Sequence, residues 1–260
     1  MIDYVPKPLT QEVNVTPGSP LKRLALLLIG LLGLVVAAYA VAGVLVDVLA
    51  GFVPASWERA LGGIYAAQFP VNAEDPRTRR LQGLLGELTP YMDDEDARLE
   101  YSISVLESPE VNAVALPGGR IVVFGGLLRE LESDEEVMFV LAHELGHFHH
   151  RDHLRRMGRG LVSMLFMAAL SGSGGEHASG LASAINDGMH LAYSRSQERD
   201  ADLYAVELLY RATGSTTGAE AFMRRLDHME HDPALLYFFS THPSPANRLE
   251  YVREAARDLQ

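Results

Sequence analysis

Apolar and polar positions divide the chain into distinct regimes. Leu24–Val46 is apolar with no charged residue, long enough for one helix to cross a bilayer. Lys22 and Arg23 stand directly before it and Asp47 directly after. A cleaved signal peptide is the rival reading, with Ala38-Tyr39-Ala40 as its small-residue cleavage pattern. The apolar run continues past that site, which favours a retained anchor. Met1–Pro20 is punctuated by prolines, lacks apolar periodicity and reads as a disordered tail. The expected organisation is a tail over 1–21, a transmembrane anchor over 22–50 and a globular domain over 51–260.

Within that domain the pattern alternates between helical and extended periods. Pro54–Pro70 reads as a short amphipathic helix on Trp57, Leu61, Ile64 and Tyr65, with Trp57 either at the membrane interface or capping the domain. Arg77–Leu88 is a second helix, apolar at Leu81, Leu84, Leu85 and Leu88. Leu99, Tyr101, Ile103 and Val105 alternate as a half-buried strand, and Val111–Leu116 and Arg120–Phe124 flank Pro117-Gly118-Gly119 as a hairpin. Gly125–Glu132 leads into a helix over Asp134–Arg155. Leu161–Leu170 is apolar again but too short to span a membrane; it reads as a core helix, with a helix dipping into the interface as the alternative. The small-residue stretch over 171–180 reads as a mobile lid or a plain surface loop, with His177 solvated. Ile185–Leu209, with a break near Ser194, Ala219–His231 and Ala246–Leu259 complete the helices.

Composition narrows the chemistry. The 260 residues carry a net charge of −12, which argues against nucleic acid as a partner. There is no cysteine, so thiol catalysis and thiolate metal sites are excluded and histidine and carboxylate remain as ligands.

His143-Glu144-Leu145-Gly146-His147 has the H-E-x-x-H form. On a helix the two histidines, four apart, project from one face and can hold one zinc ion, with Glu144 beside them as a base. A third protein ligand is required. His153 has the spacing of a longer motif that needs glycine where this chain has His150; without a helix break it stays on the helix, rotated away. Arg151 and Asp152 beside it look like a solvated helix end, and His149, His150 and His153 read as solvated or supporting histidines. Glu198 and Asp202, one helical turn apart, fit better: Glu198 as the third ligand, and Asp202 accepting the outer N–H of a ligand histidine.

His143–His147, then Ser194-Arg195-Ser196-Gln197-Glu198-Arg199-Asp200-Ala201-Asp202, then Thr241-His242-Pro243-Ser244-Pro245 with Arg248, resemble the HtpX-like and CAAX prenyl protease type-1 (Ste-type) family of zinc metallopeptidases. Asn112-Ala113-Val114-Ala115-Leu116-Pro117-Gly118-Gly119 matches that family's block before its zinc helix. The resemblance covers roughly Pro90 to Val252; the third block reads E-R-D-A-D where E-x-E-A-D is more usual. It implies an α+β, mainly helical gluzincin-type zinc metallopeptidase domain, with a small β-sheet or hairpin beside the zinc helix and one N-terminal transmembrane helix. It also implies one Zn2+ per chain and substrate backbone along Asn112, Ala113, Val114 and Ala115. His242 is expected to stabilise the oxyanion, to occupy the open zinc position at rest, or to cap the last helix; Arg248 is expected to pair with a carboxylate near the site. The expected activity is endopeptidase hydrolysis of protein substrates such as misfolded membrane or envelope proteins; a latent, chaperone-like scaffold or a structural zinc domain is the alternative. Lys7, Lys22 and Arg23 outweigh the positive charge that follows the anchor, which places the N-terminus in the cytoplasm and the catalytic domain outside; by analogy with the family the membrane is expected to be a bacterial inner membrane.

Overall fold

A computed structural model describes residues 19–94, 96–171, 192–228, 236–243 and 247–259. The expected tail and most of the stretch read as a lid lie outside the described residues. Two compact units divide at residue 42. The first, Met1–Ala42, is helical where described and holds most of helix α1 (Pro20–Ala50). Its leucines, Leu21 to Leu34, are all more than half exposed. Such a helix, apolar and exposed over its described leucines, suits a lipid surrounding.

The second unit, Gly43–Gln260, runs α2 (Ala55–Gln68), α3 (Pro76–Leu88), β1 (Ser102–Leu106), β2 (Ala113–Leu116), β3 (Arg120–Phe124), α4 (Gly125–Glu130), α5 (Asp134–His149), α6 (Asp152–Ser171), α7 (Arg195–Thr213), α8 (Thr217–His228), α9 (Leu236–Thr241) and α10 (Arg248–Asp258). It is a mainly helical α+β fold, as the resemblance implied. The expected hairpin is present: β2 pairs antiparallel with β3, Ala113 facing Val123 and Leu116 facing Arg120. Its turn needs two residues of positive φ, and Gly118 and Gly119 supply 82° and 77°. β1 lies parallel on the other side of β3, which leaves β2 at the sheet edge. Gly62 of α2 presses on the turn so closely that a Cβ there would sit 2.7 Å from the Pro117 carbonyl oxygen.

α5 is the centre of this unit. Ser133 caps its first turn by accepting from the Glu136 amide, and acids at Asp134, Glu135 and Glu136 complement the helix dipole. From Glu136 to Phe148 every residue is buried. α7, α8, α3 and β2 surround it, so its buried surface has no single apolar face.

Two expectations fail here. The helix does not run on to Arg155: it ends at His149, Arg151 takes a left-handed φ of 57°, and α6 starts afresh at Asp152. A non-glycine residue in that region costs roughly 1–2 kcal/mol. The Arg151 guanidinium offsets this by donating to the carbonyls of Val53 (2.6 Å) and Ala50 (3.2 Å). Nor is the apolar half of α6 a core helix, because Leu165 and Met167 are 57% and 66% exposed.

α5 and α7 touch backbone to backbone where Gly146 faces Ala201. A Cβ on Gly146 would lie 2.9 Å from the Ala201 Cα and 3.0 Å from its carbonyl oxygen. Gly146→Val is therefore expected to force the helices apart and lower stability by about 2 kcal/mol, read as a lower urea midpoint at unchanged slope, with metal affinity falling in parallel.

Candidate metal centre

Four side chains converge beneath that crossing. His143 and His147 come from one face of α5, Glu198 from the first turn of α7, and His242 from the residue after α9. One ligand atom of each lies within 4.8 Å of the others. His143 is 4% exposed, Glu144 1%, and His147, Glu198 and His242 0%.

Each of the two α5 histidines is aimed by a carboxylate. His143 Nδ1 lies 2.9 Å from Asp202 Oδ1, and His147 Nδ1 lies 3.1 Å from Asp152 Oδ2. That leaves both Nε2 atoms turned inward, buried and without a hydrogen-bond partner, as is Glu198 Oε2. His143 Nε2 is 3.7 Å from Glu198 Oε2, and His147 Nε2 is 3.5 Å from Glu198 Oε1. Tetrahedral zinc with ligands at about 2.0–2.1 Å separates its ligand atoms by about 3.4 Å. The donor set, its spacing and its unsatisfied inward atoms all fit a zinc-sized ion.

The carboxylates are held in turn. Arg248 grips Asp202 with two bonds, Nε to Oδ2 at 2.6 Å and Nη2 to Oδ1 at 2.7 Å, and the Tyr251 hydroxyl donates to the same carboxylate. Arg248 also reaches within 3.5 Å of Glu198. Asp152 accepts from Gln197 Nε2 at 2.6 Å and Arg155 Nη1 at 3.0 Å. Gln197 does double service, because its Oε1 completes a capping box with Ser194 at the start of α7. Tyr193 stacks on His147 at 3.7 Å between ring centres, with the Arg156 guanidinium 4.2 Å from the tyrosine ring centre.

The fields are correspondingly strong. Burial alone would raise the Glu198 carboxyl, but the charge of His242, the nearby His147 imidazole and the His242 hydrogen bond hold it well below the usual carboxylate range. Burial pushes the His147 imidazole down, yet its bond to Asp152 and the nearby Glu198 carboxylate prevail and raise it to about 9. His143 moves the other way: burial lowers it and Asp202 recovers only part of the loss.

His242 stands at the fourth corner. Its Nδ1 is 3.0 Å from Glu198 Oε1, its Nε2 is 3.4 Å from the Ala113 carbonyl oxygen and 3.9 Å from Glu144 Oε1. Asn112, Ala113, Val114 and Ala115 lie on or just before edge strand β2, all buried.

Several residues depart from their sequence reading. Asp152 is not a solvated helix end but is fully buried against His147. His153 is neither a ligand nor solvated: it is 2% exposed, with Nε2 2.7 Å from Glu58 Oε1 and Nδ1 3.2 Å from the His147 carbonyl oxygen. His149 is half-buried against Asp96 and stacked on Tyr204. Sequence reasoning missed Asp152, Gln197 and Tyr193; only the helix break brings Asp152 back to His147, and no local pattern announces that break. His177 lies outside the described residues.

The family model for peptidase family M48 matches residues 76–256. Mitochondrial metalloendopeptidase OMA1 of Schizosaccharomyces pombe is 31% identical over 167 residues, covering 62% of this chain and 48% of the relative. The beta-barrel assembly-enhancing protease of Yersinia pestis is 24% identical over 221 residues, covering 78% and 44%, and that of Escherichia coli is 24% identical over 194 residues, covering 66% and 40%. The chain thus spans half or less of the length of these curated relatives.

With its metal removed, the protein is expected to hold a proton on His147 at neutral pH, so metal binding releases a proton and tightens as pH rises toward about 9. Asp152→Ala removes the bond that raises this imidazole. It should bind metal about 10–100-fold more weakly and release less proton, as measured by calorimetry in two buffers of different ionisation enthalpy.

Proposed function

The chain belongs to peptidase family M48, and on that premise we propose that it is a zinc-dependent endopeptidase acting on protein substrates. One observation carries the reading: the inward nitrogens of His143 and His147 and the Glu198 carboxylate meet at metal-ligand spacing with the Glu144 carboxylate beside them. His143, His147 and Glu198 are the proposed ligands of one zinc ion. Zinc so held would polarise the scissile carbonyl and make attacking water more acidic.

The remaining work belongs to the chain's own groups. Glu144, buried and with Oε2 unpartnered, takes the proton of the attacking water and returns it to the leaving amine. Asp202, held by Arg248, and Asp152, held by Gln197, keep the two imidazoles turned inward. The edge of β2, from Asn112 through Ala115, accepts substrate backbone by strand addition. His242 has two possible duties, and its position favours one. Bonded to Glu198 and facing the Ala113 carbonyl, it occupies the fourth corner and the substrate's place beside β2, a resting cap. Freed from those contacts, it becomes a donor for the oxyanion.

A chaperone-like scaffold or a structural zinc domain would have no use for Glu144. The HtpX-like blocks, the apolar helix α1 and the basic residues before it support a single-anchor bacterial member with its domain on the extracytoplasmic side. Secretion after signal cleavage is the alternative. The names of the matched relatives support, by analogy, turnover of misfolded membrane or envelope proteins.

Full-length protein in detergent is expected to carry about one zinc per chain and to cleave casein. Glu144→Gln should keep the zinc and lose cleavage, whereas Glu198→Ala should lose the zinc. Cleavage by Glu144→Gln at the parental rate would refute the base assignment. His242→Ala separates the two duties: faster cleavage with zinc retained is expected of a released cap, and slower cleavage at unchanged KM would make it an oxyanion donor instead.

A further inference from the structure

The second half of α6 is unused by the site, and its surface is wrong for water. Gly160–Ser171 contains no charged residue. Leu161, Leu165 and Met167 are 36%, 57% and 66% exposed. Leu161 and Leu165 share one face; Met167, two residues on, points to nearly the opposite side. A helix end that is apolar and open on more than one side does not match a protein partner, which would cover one face.

Its start is tied to the end of α1. Arg151, just before α6, donates to the carbonyls of Ala50 and Val53. Gly158 lies against Val46, where a Cβ would come within 2.6 Å of the valine Cγ1. Arg159 then grips Asp47 with bonds of 2.7 and 2.8 Å. Between Arg151 and Gly158–Arg159 the partners step back from Ala50 and Val53 to Val46 and Asp47, so α6 runs antiparallel to the last turns of α1. Asp47 is the first charge after the apolar run of α1, and Asp47 with Arg159 marks the depth at which that run ends. The exposed aromatics Phe52 and Trp57 follow that level, where aromatic side chains favour the headgroup region. Beyond Arg159, Gly160–Ser171 extends α6 by roughly 18 Å toward the side from which α1 arrives, a little over half of a hydrocarbon core about 30 Å thick.

We infer that α6 is a second membrane element: its apolar half penetrates the leaflet nearest the catalytic domain, with lipid acyl chains as its partner. Apart from the carbonyls of its last turn, the helix satisfies its own backbone there, as a membrane segment must. α6 also opens with Asp152, the residue that aims His147. Membrane insertion and the metal site therefore share one rigid element.

The inference rests on reading α1 as a membrane span, and the test separates the two. The chain has no cysteine, so single-cysteine variants can be labelled with bimane in full-length protein in phosphatidylethanolamine–phosphatidylglycerol nanodiscs. Leu165→Cys and Met167→Cys report on α6, Leu32→Cys on α1, and the exposed Glu254→Cys on the aqueous surface. Emission from positions 165 and 167 is expected to be lost to nitroxide on the lipid acyl chain as strongly as that from position 32, and to be protected from iodide. Quenching by iodide as at position 254 would overturn the inference and leave the anchor standing. Protection from both quenchers would also overturn it, by showing a protein cover. Failure at position 32 would remove the anchor reading and this inference together.

Discussion

Five ionisable side chains, His143, Glu144, His147, Glu198 and His242, are packed together almost entirely out of water, and the rest of the domain is arranged to make that tolerable. Each buried charge costs several kcal/mol unless it is paired and hydrogen-bonded. Two nested shells meet the need. Asp202 and Asp152 accept from the outer nitrogens of the histidines, and Arg248, Tyr251, Gln197 and Arg155 hold those carboxylates. Among the atoms left without a hydrogen-bond partner are the inward ones of the site itself, His143 Nε2, Glu144 Oε2, His147 Nε2 and Glu198 Oε2. A divalent ion among them would supply positive charge where these carboxylate and imidazole groups converge.

The two carboxylate shells arrive by different routes. Asp202 is four residues from Glu198 on α7, so one helix presents the Glu198 carboxylate and the carboxylate that holds His143 on the same face. Asp152 lies beyond the end of α5 and is returned to His147 by the left-handed turn at Arg151. That turn is stabilised from outside, by carbonyls at Ala50 and Val53. The geometry of His147 thus depends on a segment almost a hundred residues earlier in the chain, at the exit of α1.

This difference explains what could be read in the sequence. The hairpin was legible because its alternation and its paired glycines are local, and the α5 ligand pair because four-residue spacing is a property of any helix. Glu198 and Asp202 were legible as a pair for the same reason, though their partnership with His143 is geometric. The break at His150–Arg151 was not legible: no glycine or proline marks it, and its cause is a tertiary hydrogen bond. With the break hidden, Asp152 looked like a solvated end and His153 like a residue carried past the site on one helix. The apolar half of α6 was misread because a core helix and a lipid-facing helix share one composition; only its exposure distinguishes them.

α2 completes the link between the end of α1 and the site. Glu58, 3% exposed, meets His153 at 2.7 Å, and the other nitrogen of that ring lies 3.2 Å from the His147 carbonyl oxygen. One turn on, Gly62 seats α2 against the hairpin turn at Pro117 and Gly118. The short segment after α1 thereby braces two walls at once, the end of the metal helix and the strand proposed to hold substrate. Both contacts are close and buried, and packed interiors transmit strain instead of absorbing it. A shift of the α1 exit would therefore move β2 and His147 together, so the segment after α1 sets the geometry of the site.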